Sequence, residues 1–253
     1  MLQGSNASKD GFVRLENIVK TFGDVTALKG VDFEVGGNEL VGLVGDNGAG
    51  KTTLIKILTG IYKPDEGRII YKGEPVQFSS PRESRDLGIE PVHQEGSSIA
   101  EMKVWENFFL GREEIHGFNV LDKAKMRATT EKTLNRIGID LDSVDREIGT
   151  LSGGERQAVV IGRAVHFGGD LLIMDEPTSG LSLKETHKVL EYVKGVKDMG
   201  KSLILISHLT RHVYPAAERF VILDKGEKIG DFEKDEVSKK ELEQLIVKGR
   251  MAE

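Results

Sequence analysis

A glycine-rich segment, Gly45–Thr53, has the composition of a phosphate-binding loop. It follows an apolar stretch, Leu40–Val44, and opens a stretch with helical periodicity, Lys51–Leu58, which is the context that such a loop requires. Its glycines let the backbone wrap tightly, so that the amide groups converge on phosphate oxygens. We expect the lysine to reach the β- and γ-phosphates of a nucleotide and the first threonine to offer its hydroxyl to Mg²⁺. The residues predicted to bind the nucleotide here are Gly45, Asp46, Asn47, Gly48, Ala49, Gly50, Lys51, Thr52 and Thr53.

Two acidic residues end a second apolar stretch, Leu171–Asp175 followed by Glu176. Ligands and catalytic groups sit at the carboxyl ends of the strands in open parallel sheets. Asp175 is therefore placed to hold Mg²⁺, directly or through water, and Glu176 to polarise an attacking water. Strands that end in acids are common, so this assignment depends on the phosphate-binding loop being present as well.

A third segment, Leu151–Gln157, reads LSGGERQ and opens a helix predicted to run through Phe167. A serine followed by two glycines gives a helix start with exposed amide groups and a hydroxyl, which together can bind phosphate. The same residues fit a capping box, in which the serine and the glutamate satisfy each other's backbone amides. Both interpretations can hold at once. The residues predicted to contact nucleotide phosphate are Ser152, Gly153, Gly154 and Glu155.

With these motifs in this order, the sequence resembles the ATP-binding cassette (ABC) ATPases over residues 12–248. LSGGERQ resembles the LSGGQ signature of that family, with Glu155 in the glutamine position. The resemblance implies three further site residues: Phe22 stacking on adenine, Gln94 contacting Mg²⁺ and the attacking water, and His208 contacting the γ-phosphate. Taken alone, each has an ordinary structural explanation. The remaining histidines, at positions 93, 116, 166, 187 and 212, are assigned to structural roles.

The resemblance implies an α/β fold, a P-loop NTPase core sheet with N-terminal antiparallel strands and a helical insertion. The pattern of the chain agrees, because β-branched apolar runs alternate with helix-period stretches. We expect a disordered tail over residues 1–11 and one domain over residues 12–250, with the helical insertion at about 96–167. The predicted strands are Val13–Val19, Val31–Val35, Leu40–Gly45, Ile69–Tyr71, Gly88–Val92, Leu171–Asp175, Ser202–Ser207, Phe220–Asp224 and Lys228–Phe232. The predicted helices are Lys51–Leu58, Val104–Leu110, Lys123–Ile137, Gly153–Phe167, Lys184–Met199, Thr210–Ala217 and Ser238–Lys248.

Composition narrows the function classes. The 253 residues include no cysteine, which excludes disulfides, thiolate metal sites and cysteine nucleophiles. The formal net charge of −6 gives no general attraction to nucleic acid. No run of 18 apolar residues is present, and the polar start does not have the pattern of a secretory signal.

The resemblance also implies how the chain works with partners. Two cassettes, identical or not, meet head to tail, and each ATP lies between the phosphate-binding loop of one and the signature of the other. Permease subunits in the membrane, and through them a periplasmic-type sugar-binding protein, are the other partners, and the cassette sits peripherally on the cytoplasmic face of the membrane. Nucleic acid is not expected as a partner. In one departure from the family pattern, Ser182 stands where many members have an aspartate.

Three runs look like the importers of simple sugars such as ribose, xylose, galactose and fructose, in their single-cassette form: VHQE at 92–95, WENFFLGRE at 105–113 and ISHL at 206–209. We therefore expect an ATP-hydrolysing importer subunit whose Gln94 loop and helical insertion contact a permease. Trp105, Phe108 and Phe109 are candidates for that contact; the alternative, which we favour for Trp105, is that they pack inside the insertion.

Other functions stay open at this point. The nearest alternative is a cassette for another substrate, such as amino acids, or for export. A chromosome-organising ATPase would carry long heptad-repeat arms, and a translation factor of this family would carry two cassettes. A kinase could use the phosphate-binding loop but would leave the signature unexplained.

Overall fold

The structure is a computed structural model that describes residues 12–92, 98–117 and 120–249. The predicted tail and the predicted site residue Gln94 lie outside the described residues. The strands are β1 Val13–Phe22, β2 Val25–Val35, β3 Leu40–Val44, β4 Glu66–Tyr71, β5 Glu74–Val76, β6 Ile89–Val92, β7 Ile115–His116, β8 Val120–Leu121, β9 Leu171–Asp175, β10 Ser202–Ser207, β11 Arg219–Asp224 and β12 Glu227–Glu233. The helices are α1 Lys51–Leu58, α2 Pro81–Asp86, α3 Val104–Phe109, α4 Lys123–Arg136, α5 Gly153–His166, α6 Leu183–Asp198, α7 Thr210–Val213 and α8 Lys239–Lys248.

The core sheet has the strand order β12-β11-β3-β10-β9-β6. Its strands run parallel except β12, which pairs antiparallel with β11 at the edge. Continuous apolar runs such as β3 and β10 are buried along their whole length, because both faces of the sheet are covered. Strands β3, β10 and β9 are parallel neighbours, with β10 in the middle. The turns that follow them therefore lie at the same end of the sheet, where these strands finish. This order brings together the phosphate-binding loop after β3, Glu176 after β9 and His208 after β10.

Two hydrophobic cores lie on the two faces of this sheet. Alternate side chains of each strand point to opposite faces, so that Leu43 joins one core and Val44 the other. The first core contains α1 and the antiparallel sheet β2-β1-β4-β5, and the second contains α5, α6 and the helices inserted before them. The α/β fold predicted from the sequence, with its N-terminal antiparallel strands, is confirmed.

Strands β1 and β2 are longer than the sequence predicts. Their pairing contains register shifts, and Asn17 adopts a left-handed φ of 49° within β1. Each shift interrupts the in-and-out alternation by which a strand is recognised in a sequence. As a result, Phe22 lies at the end of a long hairpin, where it pairs with Val25.

The helical insertion packs α3, α4 and α5 against one another. Trp105, Phe108 and Phe109 are at most 2% exposed. Their suggested role as exposed permease contacts is therefore wrong, and the alternative of packing inside the insertion is confirmed. The two phenylalanines pack on His166 of α5, and the Trp105 indole donates to Asp145 Oδ1 over 3.0 Å.

Other differences are local. Helix α7 ends at Val213 rather than Ala217, because Pro215 lacks the amide that would continue it. The sequence did not reveal β5, α2 or the antiparallel pair of β7 and β8, whose elements have two to six residues and are too short to show a period. No helix in the described part of the chain is long and apolar enough to cross a membrane.

Candidate active site

The loop between β3 and α1 folds back over its own first residues. Lys51 Nζ donates to the carbonyl oxygens of Gly45 at 2.8 Å and Asp46 at 2.9 Å. Gly50 has a φ of 105°, and a Cβ there would lie 2.9 Å from the Ala27 carbonyl oxygen, so the loop needs glycine at this position. No side chain among the described residues caps α1. Its first amide groups are therefore left as donors for an anion.

Lys51 is the point where two of the predicted motifs meet. Its side chain is buried, and this burial lowers the pKa of the ammonium from its usual value. The carboxylates of Glu176, Asp175 and Asp46 oppose that change by stabilising the charged form. The phosphate-binding loop and the acidic end of β9 thus share one electrostatic environment.

Glu176 accepts three hydrogen bonds from the end of β10. Ser207 Oγ donates to Oε2 over 2.8 Å, while the His208 amide and Nδ1 lie 2.9 Å and 2.7 Å from Oε1. Because a carboxylate only accepts, His208 Nδ1 carries the proton in this contact. The sequence named Glu176 and His208 separately but did not reveal Ser207. A polar residue that ends an apolar strand beside a candidate histidine was the available signal.

The backbone of Glu176 has a left-handed φ of 48°, which is unfavourable for a residue with a Cβ. Such a conformation costs on the order of 1–3 kcal/mol and persists only where neighbouring contacts hold it. The next segment supplies such contacts. Thr178 is buried, and its Oγ1 lies 2.9 Å from Nδ1 of His212 in α7. The sequence analysis had placed His212 among the structural histidines.

The predicted capping box at the start of α5 is confirmed. Ser152 Oγ accepts from the amide of Glu155 over 3.2 Å, and the Glu155 carboxylate accepts from the Ser152 amide over 2.8 Å. The amides that follow Ser152 are engaged rather than exposed, because Glu185 of α6 accepts from the Gly154 amide over 3.3 Å. Hydrogen bonds from the Ser182 side chain and amide, and then from Gly154, lower the pKa of Glu185 to about 2. An internal carboxylate therefore lies where the sequence predicts phosphate.

Phe22 is 42% exposed and packs edge-on against Tyr62, with the ring centroids 5.1 Å apart. Lys20 Nζ lies 5.5 Å from the centre of the Phe22 ring. The hairpin that carries Phe22 also supplies Ala27, which touches the phosphate-binding loop at Gly50. An aromatic face is therefore accessible on the strand pair that flanks the loop. The sequence did not reveal that Tyr62 packs against Phe22, because a single tyrosine after a helix does not indicate its packing partner.

The donor set fits a magnesium ion that is shared with a nucleotide. Within the described residues, no group of three or more His, Cys, Asp or Glu side chains could hold a metal by itself. Mg²⁺ commonly takes one or two protein oxygens and completes its shell with water and substrate phosphates. The exposed hydroxyl of Thr52 and the carboxylate of Asp175 are oxygen ligands of that kind.

Comparison with known families agrees with this geometry. The profile of the ABC transporter family matches residues 28–179, well over half of the chain. The chain belongs to this family, and ATP hydrolysis is its reaction.

Curated relatives extend the match beyond the family profile. The xylose/arabinose import ATP-binding protein XylG of Sulfolobus acidocaldarius is 39% identical over 92% of this chain and 93% of its own length. The fructose import ATP-binding protein FrcA of Rhizobium meliloti is 39% identical over 88% of both chains. The ribose import ATP-binding protein RbsA of Caldanaerobacter subterraneus is 38% identical over 93% of this chain, which spans 47% of that longer protein.

Solved structures show the same fold. The ADP conformation of the ATP-binding cassette MJ1267 superposes with a TM-score of 0.81 at 28% identity, covering 95% of this chain and 96% of that one. The nucleotide-free form of an ATP-binding cassette from an ABC transporter gives a TM-score of 0.81 at 27% identity, with the same coverage.

Proposed function

We propose that this chain is the ATP-hydrolysing subunit of an importer for a simple sugar and works at the cytoplasmic face of a membrane. The observation that carries this proposal is the likeness, along nearly the whole chain, to import ATP-binding proteins for xylose or arabinose and for fructose. Those alignments cover 93% and 88% of the two relatives' own lengths. Permease subunits, and a sugar-binding protein acting through them, are the partners that follow.

Each residue of the candidate site has a separate task in hydrolysis. Lys51 and the loop amides bind the β- and γ-phosphates of ATP, and Phe22 stacks on the adenine. Thr52 and Asp175 would hold Mg²⁺, which neutralises charge on the phosphate oxygens when it is bound. Glu176 polarises the attacking water, because Ser207 and His208 fix its carboxylate near the ammonium of Lys51, the first residue of α1.

We further propose that two cassettes close head to tail on ATP. The signature glycines lie against α6, whereas the phosphate-binding loop lies against β2 and the β11–β12 turn. These separate surroundings agree with a signature that serves the nucleotide of a second cassette. The phosphate of that nucleotide would then compete with the Glu185 carboxylate for the amide of Gly154.

This competition gives a testable expectation. Glu185→Gln keeps an oxygen that accepts from Gly154 but removes the negative charge that repels phosphate. In light scattering during ATP titration, we expect half-maximal dimerisation at about 3- to 10-fold less ATP than in the parent protein. Glu241→Gln is the matched control, because Glu241 caps α8 through Ser238 in the same way and has no signature beside it. An unchanged or higher ATP requirement in Glu185→Gln would show that the carboxylate does not compete.

The surface proposed for the permease is a polar cleft between the core sheet and the helical insertion. Its volume is about 780 Å³, and its lining includes Arg82 and Arg85 of α2, Glu90 of β6, and Arg112 and Arg163 of the insertion. Arg112 Nη2 lies 3.6 Å from Glu90 Oε2. Burial raises the pKa of the Glu90 carboxyl group. The four arginines share the lining with three acids, Asp86, Glu90 and Asp170, and the remaining positive charge favours a permease segment that carries carboxylates or helix C-terminal carbonyls.

The function is tested by reconstituting the chain with a candidate permease and sugar-binding protein in lipid vesicles. We expect sugar and its binding protein to stimulate ATP hydrolysis. The double change Arg82→Glu and Arg85→Glu should abolish this stimulation and leave basal hydrolysis intact, because it reverses charge on an exposed docking face. Lys240→Glu, a single charge reversal on α8, should keep the stimulation. If amino-acid or lipid systems stimulate the ATPase and sugar systems do not, the sugar assignment fails while the family assignment stands.

A further inference from the structure

The position of Glu176 depends on contacts on both sides of it. On its N-terminal side, the β9–β10 pairing continues one residue further, because the Glu176 amide donates to the Ile206 carbonyl over 3.0 Å. On its C-terminal side the chain enters a turn, in which the Ser179 amide donates back to the Glu176 carbonyl over 3.0 Å. Between them, Thr178 is only 1% exposed. The left-handed backbone at Glu176 requires this turn to be held in place.

The side chain that holds Thr178 is His212, which is 7% exposed. Arg211 Nε donates to His212 Nε2 over 3.2 Å, so that nitrogen accepts and carries no proton. The proton of the neutral ring is therefore on Nδ1, which donates to Thr178 Oγ1 over 2.9 Å. The charged and titratable groups that face His212 are Arg211, Glu176 and His208. Burial, followed by Arg211, lowers the pKa of the imidazole and favours this neutral form.

Helix α7, which carries His212, is itself held in place by a hydrogen bond to α8. Its first residue, Thr210, donates its hydroxyl proton to Glu243 of α8 over 2.7 Å. His208 lies two residues before the start of α7, and His212 lies about one helical turn further along. Two bridges therefore join the same two segments: Glu176 to His208, and Thr178 to His212. The bridge from Glu176 to His208 contains the reacting carboxylate. The bridge from Thr178 to His212 fixes the backbone that carries this carboxylate.

We propose that His212 is a positioning residue for ATP hydrolysis: its hydrogen bond to Thr178 fixes the turn after Glu176 and keeps the Glu176 carboxylate directed at the end of β10. His212 itself does not touch substrate in this assignment. The inference rests on the role proposed above for Glu176 and is independent of the transported substrate.

The test measures kcat and KM for ATP in Thr178→Val, His212→Ala and the double variant. Each single change should lower kcat about 3- to 10-fold, the effect of losing one hydrogen bond, while KM stays within about twofold. The double variant should be no worse than the poorer single variant, because both changes remove the same contact. Thr130→Val is the matched control, since it removes an equally buried hydroxyl from α4. Its kcat should stay within about twofold of the parent value.

His212→Asn separates hydrogen bonding from packing, because the asparagine amide can donate to Thr178 much as Nδ1 does. Recovery of kcat to within about twofold of the parent would support the positioning role. Three results would overturn it: single variants that match Thr130→Val, losses that multiply in the double variant, or an asparagine variant as slow as His212→Ala. If Glu176→Gln retained normal turnover, the role of Glu176 would fail instead, and these two failures are distinguishable.

Discussion

Glu176→Gln should bind ATP as the parent protein does and hydrolyse it about 10²- to 10⁴-fold more slowly. Glutamine keeps the shape of the side chain, and its amide oxygen can still accept from the His208 backbone amide, so the fold is retained. The change removes the charge that polarises the attacking water. Because hydrolysis separates the cassettes in the proposed mechanism, the variant should also accumulate as an ATP-bound dimer. Single-turnover ATPase assays and size-exclusion chromatography with ATP measure the two effects.

The control for this variant is Glu90→Gln. Glu90 is a half-buried carboxyl group on β6 of the same sheet, and burial already raises its pKa, so neutralising it is a comparable change away from the candidate site. Basal hydrolysis by Glu90→Gln should equal that of the parent. If Glu176→Gln turned over ATP at the parent rate, the catalytic assignment would be refuted.

Lys51→Ala is expected to weaken ATP binding by at least about tenfold, since each charge-assisted contact to phosphate contributes roughly 1.5–3 kcal/mol. In the structure the ammonium also joins the carbonyls of Gly45 and Asp46, so its loss loosens the loop as well. Titration with a fluorescent ATP analogue measures the affinity.

Lys51→Met is a useful companion variant, because it keeps most of the apolar stem and removes the charge. Its affinity should fall as far as that of Lys51→Ala if the ammonium is the important group. Lys132→Ala, at an exposed lysine on α4, should leave the affinity unchanged. Equal ATP affinity in the Lys51 variants and the parent would contradict the assignment of the phosphate-binding loop.

The sequence by itself determined the parts of this protein that are local in the chain. The phosphate-binding loop was identifiable because its glycines, lysine and threonine lie within nine consecutive residues between a strand and a helix. The capping box at Ser152 and Glu155 spans four residues, and Asp175 and Glu176 end a single apolar strand. Each of these patterns follows from backbone geometry that neighbouring residues impose on one another. The α/β class was predictable for the same reason, from the alternation of periods along the chain.

Only the tertiary structure decided which of these local parts meet. Glu176 contacts His208 because β9 and β10 are adjacent in the sheet. The amino-acid sequence of neither strand determines that they are neighbours. The burial of Trp105 depended on α4 and α5 covering α3, since an apolar helical face has the same sequence pattern in a core as on a docking surface. The engagement of the signature amides by Glu185 and the bond from His212 to Thr178 join residues on different elements. Such contacts depend on the packing of whole helices against the sheet, which short-range patterns in the sequence do not encode.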